Sequence, residues 1–207
     1  MKRIKELIEN GESETLDFKK EITSVNKIAK TIVSFANHKG GTILIGVNDD
    51  RAIYNIEPEE ETYMLNTAAE FNCNPQLELT IREWTIDHKT ILEVKVPKGD
   101  KKPYYALNEE GQWRVYIRVK DRSLLASKVV VDVLHRENSN HNTFIRYGSK
   151  EQELLSYLEK NDKITLKEFC QLLNIGKRRA SRILVDLVSA GALRVHTTEK
   201  NDFYTLS

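Results

Sequence analysis

The sequence predicts an α/β (α+β) N-terminal domain with a mixed sheet, followed by a smaller domain of three helices and a β-hairpin. Three observations lead there. Over Ile28 to Asp50, an apolar stripe at helical spacing (Ile28, Ile32, Phe35) is broken at Asn37 to Gly41 and followed by a continuous apolar run from Thr42 to Val47. Leu77 to Trp84 and Thr90 to Val96 alternate apolar and polar residues around Asp87-His88-Lys89, the pattern of a hairpin. Beyond an asparagine-rich stretch at 137–147, leucine-rich helical patterns take over.

In chain order, Ile4, Leu7 and Ile8 stripe a short helix that stops at Asn10-Gly11. Glu12 to Lys20 alternates Leu16 and Phe18 against Thr15, Asp17 and Lys19, as a half-buried strand does. Ser24 is a suitable N-cap for the helix that carries Ile28 to Phe35. Gly40 and Gly41 then allow a positive φ or a close backbone approach, and Asn48-Asp49-Asp50 closes the following strand with turn chemistry. Ala52 to Ile56 reads as a short continuation. Pro58 and three glutamates open a helix that runs through Met64 and Leu65 to about Phe71, with negative charge where the helix dipole favours it. Pro103 to Ala106 leads into a hairpin around Glu110-Gly111 that returns through Val115 to Val119, and Ala126 to Leu134 is helical. The reading assigns 1–136 to the first domain, 137–147 to a connector and 148–207 to the second domain.

Composition bounds the function. The chain has 207 residues, 30% charged and 40% hydrophobic, with a net charge of +1, so a nucleic-acid surface must come from local clustering. Cys73 and Cys170 lie far apart and in no C-x-x-C arrangement, which argues against a zinc site or a disulfide framework. The basic, amphipathic start lacks the apolar core of a signal peptide, and no apolar run is long enough to span a bilayer. A cytoplasmic protein without membrane contact is expected.

Four pieces in order, Glu12, Asp17-Phe18-Lys19, Phe35-Ala36-Asn37 with Gly40-Gly41, and Gly46-Val47-Asn48-Asp49, resemble the AlbA_2 domain, also called the Schlafen-type or divergent AAA-4 domain. Asp17 stands where that family usually has Glu, and Arg51 stands near where a glycine often closes the turn. Pro103-Tyr104-Tyr105 and the strand Tyr116 to Val119 followed by Ser123 resemble the end of the same domain. The resemblance implies a DNA-binding domain of transcription regulators. It also implies an alternative: in Schlafen-type nucleases three acidic residues bind a divalent cation and cut RNA, and Glu12, Asp17 and Asp49 match those positions. Hard oxygen ligands of this kind suit Mg²⁺ or Mn²⁺, the cofactor a nuclease would need. Otherwise the same carboxylates are solvated or cap backbone amides, and no cofactor is expected.

The second domain carries Leu154, Leu155 and Leu158 on one helix, then Thr165 with Glu168 three residues on, a capping box. After Asn174-Ile175-Gly176 a third helix runs Lys177 to Ala190 and buries Ile183, Leu184, Leu187 and Val188, and two strands joined by a polar tip at Thr198 to Asn201 complete the unit. This order is similar to a winged helix-turn-helix. Lys177, Arg178, Arg179 and Arg182, with Ser181, fall in the first half of the third helix, where a recognition helix meets base edges and phosphates. Arg194, His196 and Lys200 lie on or near the wing. Residues 148–207 hold ten Lys and Arg against eight Asp and Glu, so the asymmetry is local.

Other chemistries find little support. ATP is not expected, because no G-x-x-x-x-G-K-[ST] is present, although Asn37, His38, Lys39, Gly40 and Gly41 could meet a phosphate through their turn. G-x-S-x-G and H-E-x-x-H are absent, and the five histidines lack ligand spacing. Tyr104, Tyr105 and Trp113 are of the type that stacks on single-stranded bases, while hairpin aromatics more often serve packing. The sequence thus points to a DNA-binding regulator, expected to be a homo-oligomer on duplex DNA, with a metal-dependent ribonuclease acting on RNA as the alternative.

Overall fold

A computed structural model describes residues 2–138 and 148–207 and shows an α+β protein with a mixed sheet and two further antiparallel sheets. The connector predicted at 137–147 lies mostly outside the described residues. The chain divides into two compact units, residues 1–125 and 126–207.

The first unit is built around the helix–turn–strand stretch. Helix α1 (Lys2–Asn10) precedes β1 (Leu16–Lys19), α2 (Val25–Ala36) and β2 (Gly41–Ile45). Helix α3 (Pro58–Phe71) is followed by β3 (Cys73–Asn74), β4 (Thr80–Ile86), β5 (Lys89–Val96), β6 (Tyr105–Leu107), β7 (Trp113–Val119) and β8 (Arg122–Leu125). The mixed sheet has the order β1-β2-β5-β4, parallel between β1 and β2 and antiparallel elsewhere. A second sheet, β3-β6-β7-β8, is antiparallel throughout.

Both faces of the mixed sheet are covered, which is why its central strands read as apolar runs. Ile43, Ile45, Leu92 and Val94 face α2 and α3 in the larger core, with Ile28, Ile32, Phe35 and Leu65. Leu44 and Ile91 point the opposite way, toward Ile4 and Ile8 of α1, with Leu16 and Phe18 of β1. Helix α2 touches β5 as well as β6, β7 and β8, so it is buried on nearly every side. Each fully buried Ile or Phe of this kind contributes ~1.5–3 kcal/mol. The Ser24 hydroxyl caps α2 by accepting the Lys27 N–H, as expected.

Several details depart from the sequence reading. Strand β1 is buried, not half-buried, and Asp17 is carried inside with it. Ala52 to Ile56 forms only an isolated bridge, Val47 to Ile53. Strands β3, β8 and a further two-residue strand in the second unit have no periodic signal at their length, and sequence missed them.

The second unit begins with α4 (Lys128–Asn138), which the sequence reading assigned to the first domain. Val129 of α4 joins the core of the second unit, so this helix belongs there by packing. Then come α5 (Ser149–Leu158), β9 (Ile164–Thr165), α6 (Leu166–Leu172), α7 (Lys177–Ser189), β10 (Leu193–His196) and β11 (Phe203–Leu206). Strand β11 pairs with both β10 and β9, a small helix–sheet arrangement consistent with a winged helix. The capping box is formed: Thr165 Oγ1 accepts the Glu168 N–H at 3.3 Å and Glu168 Oε2 accepts the Thr165 N–H at 2.8 Å.

Gly40 has φ +76°, and a Cβ there would meet Lys98 N at 2.7 Å and Val96 O at 2.8 Å. Gly111 has φ +73° but open space around it. Urea unfolding should therefore show that Gly111→Ala costs only the ~1–2 kcal/mol of left-handed strain. Gly40→Ala should cost clearly more, because backbone atoms must also move; equal losses would mean that the collision is not felt.

Candidate functional site

The first candidate site lies where β1, the α2–β2 turn and β7 meet. Its centre is a buried cation. Arg118 of β7 is 4% exposed, and its Nη1 lies 2.8 Å from Asp17 Oδ1. Its Nη2 donates to Ser13 O and Leu16 O, each at 3.1 Å, and its guanidinium carbon sits 4.7 Å from the Phe35 ring centroid. Asp17 is 3% exposed, and its other oxygen accepts from Lys19 Nζ. Glu12 Oε1 accepts the Phe18 N–H at 2.8 Å. Burial pushes the Glu12 carboxyl above its ordinary range, the Phe18 N–H opposes this, and the nearby charges of Asp17 and Asp49 add to the rise.

The turn residues are spoken for as well. Asn37 Nδ2 donates to Tyr104 O at 2.8 Å and to Tyr116 O at 2.9 Å, while Oδ1 accepts the Tyr104 N–H at 2.7 Å. Both amide protons are consumed, so Asn37 is a bracket between α2 and the second sheet and has no donor left for a phosphate. Lys39 Nζ pairs with Glu14 Oε2 at 3.0 Å at the surface. A Cβ on Gly41 would fall 2.6 Å from the Phe35 ring, so this glycine serves close packing. Tyr104 is a core residue, whereas Trp113 is exposed at the sheet end.

Residues 12–127 match the family described as Schlafen, AlbA_2. The chain belongs to this family. Among solved structures it is similar to the DIP2311 protein from Corynebacterium diphtheriae, with 14% identity and a TM-score of 0.46, over 63% of this chain and 29% of that one. It is also similar to the N-terminal domain of a RecG-related protein from Nitrosomonas europaea, with 23% identity and a TM-score of 0.38, over 45% of this chain and 71% of that one. No curated protein matches the chain.

In this Schlafen AlbA_2 domain two of the three acidic positions, Glu12 and Asp17, already have protein partners. Glu12 is close enough to Asp17 and to Asp49 to feel their charges. Yet Asp17 is already neutralised by two cations, and Asp49 is exposed. Among the described residues, no group of three or more His, Cys, Asp and Glu side chains is placed to hold a metal ion. Sequence matches positions; it does not report which charges a fold has already paired. The buried Arg118 was the residue that sequence reasoning missed, because an arginine in an alternating strand looks solvent-facing.

The second candidate site is α7. Lys177, Arg178, Arg179 and Arg182 are all exposed, while Ala180, Ile183, Leu184 and Leu187 face the core. None of these four cations has an ion pair or side-chain hydrogen bond among the described residues. Ser181 corrects the sequence reading: it is 8% exposed and withdrawn from the basic face. His196 is drawn into the hairpin, its ring stacked on Phe203 with centroids 4.7 Å apart and Nε2 3.0 Å from Thr205 Oγ1. Arg194 and Lys200 are exposed.

Two outcomes follow from the first site. Arg118→Met leaves the Asp17 carboxylate buried with Lys19 alone and should lower stability by ~3–5 kcal/mol in urea unfolding. Adding Asp17→Asn should recover part of that loss; no recovery would mean that the backbone contacts of Arg118 dominate. His38 supplies a pH dependence. Burial holds its imidazole below the ordinary value of 6.5, with Lys39 adding to the effect. A depressed folded pKa gives stability that is present above pH 6.5 and is lost as pH falls through the folded value. The stability difference between wild type and His38→Gln should therefore shrink or reverse as pH is lowered from 6.5 through the folded value. A constant difference would remove His38 as the titrating group. Glu12 and Glu61, both raised by burial, titrate in the opposite sense and are common to both proteins.

Proposed function

We propose that this protein is a DNA-binding regulator of transcription whose second unit is a winged helix-turn-helix and whose α7 enters the major groove of duplex DNA. One observation carries the reading: four cations in the first two turns of α7 are exposed and unpaired among the described residues. Three of them, Lys177 to Arg179, occupy the first turn, where the positive end of the helix dipole makes cations unfavourable. Nothing in the stability of the unit calls for them there, and a polyanion relieves the repulsion. Arg194 and Lys200 of the hairpin contact flanking phosphates. Membership of the Schlafen AlbA_2 family supports nucleic-acid work in general terms. The regulator acts as a symmetric homo-oligomer that sets two copies of α7 about 34–36 Å apart or a multiple of it. Among the described residues no helix is long and apolar enough to cross a membrane.

The test is duplex binding by the full chain across a salt series. Arg178→Ala/Arg179→Ala/Arg182→Ala should weaken binding by at least about tenfold. Arg194→Ala/Lys200→Ala should flatten the dependence of log K on log salt by about 0.9 for each phosphate that is no longer neutralised. Labelled RNA incubated with Mn²⁺ should stay intact. Absence of salt-sensitive duplex binding would sink the reading, and RNA cleavage that Asp49→Ala abolishes would put a ribonuclease in its place.

A further inference from the structure

We infer that α7 reads guanine, so that the DNA site of this protein contains G·C pairs at the positions that Arg178, Arg179 and Arg182 reach. The inference rests on the regulator reading above and specifies its ligand.

The exposed face of this single helix matches one base and not the others. In the major groove, guanine presents two acceptors, N7 and O6; thymine presents one, O4, beside a methyl group; adenine presents one acceptor and one donor; cytosine presents a donor, so guanine alone takes both donors of a fork. A guanidinium carries two parallel N–H donors and matches guanine. Reading adenine takes a side-chain amide, and α7, KRRASRILVDLVS, contains neither Asn nor Gln. Reading cytosine takes a free carboxylate. The sole acid of the helix is Asp186, and its carboxylate is held by Arg136 Nη1 at 2.5 Å. A hydroxyl pairs with either kind of edge, but Ser181 is buried. What this face offers a base edge is therefore donors only, three of them arginine forks.

Spacing supports the same conclusion. Arg178 and Arg182 are four residues apart and share one side of the helix. At 1.5 Å rise per residue they stand ~6 Å apart along the axis. That is close to two base steps of ~3.4 Å each. Arg179 lies three residues before Arg182 and on the neighbouring row. Two or three guanines within a few base pairs are the expected footprint of each copy.

The experiment is selection of binding sites from a randomised duplex pool by the full chain, followed by two substitutions. First, 7-deazaguanine replaces guanine in the recovered site, removing N7 while keeping base pairing and phosphate charge. Second, Arg182→Gln exchanges the fork for an amide. The recovered sites should be enriched in closely spaced guanines. The 7-deazaguanine duplex should bind about tenfold or more weakly. Arg182→Gln should exchange guanine for adenine at one position of the selected site. Selection without guanine enrichment, or unchanged affinity for the 7-deazaguanine duplex, overturns the inference and leaves the regulator reading standing. Uniform weakening by Arg182→Gln with unaltered preference assigns Arg182 to phosphate and overturns its part. Failure to retain any duplex overturns both.

Discussion

The first unit hangs on one buried guanidinium. Arg118 projects from β7 of the antiparallel sheet to the edge of the mixed sheet, where Asp17 and the carbonyls of Ser13 and Leu16 receive its protons. Its face lies over Phe35, the residue that also closes on Gly41. An arginine is suited to this place because its charge is permanent and its planar fork can serve several acceptors while stacking on an aromatic ring. A buried charge without partners would be costly, so the positions of β1, β7 and the end of α2 must all be right together. Asn37 adds a second tie of the same sort, bonding the end of α2 to Tyr104, just before β6, and to Tyr116 of β7 through every group of its amide.

The same constraint engages the acidic residues nearby. In this fold Asp17 is turned inward by Arg118 and Lys19, and Glu12 is turned toward the Phe18 amide. Buried Glu93 follows the same pattern, held by Arg3 and by Trp84 Nε1. The first unit thus uses its inward charges to fix strands in place.

The second unit treats charge in the opposite way. Its apolar core orders α7 through Ala180, Ile183, Leu184 and Leu187, and the ion pair that ties α4 to that helix uses Asp186. The cations of the first two turns are left facing solvent. A net charge of +1 for the whole chain conceals this, because acids and bases elsewhere nearly cancel. Charge that is paired holds a fold together, and charge that is left unpaired on a rigid helix is available to a ligand.

By itself the sequence determined what depends on local periodicity and local chemistry. The helices α1, α2 and α3, the β4–β5 hairpin, the Ser24 cap and the Thr165–Glu168 capping box were legible, because each is specified within one or two turns of chain. So was the basic start of α7, since exposure follows from the spacing of its apolar residues. Only the tertiary structure decided that α4 belongs with the second unit, that β9 adds a strand to the hairpin, and that Ser181 is buried. It alone decided that Asn37 is bonded to Tyr104 and Tyr116 and that Asp17 is paired with Arg118. The physical reason is the distance between partners along the chain: Asp17 and Arg118 meet from opposite ends of the first unit. No local pattern records whether a charge will find its counterion a hundred residues away or meet solvent.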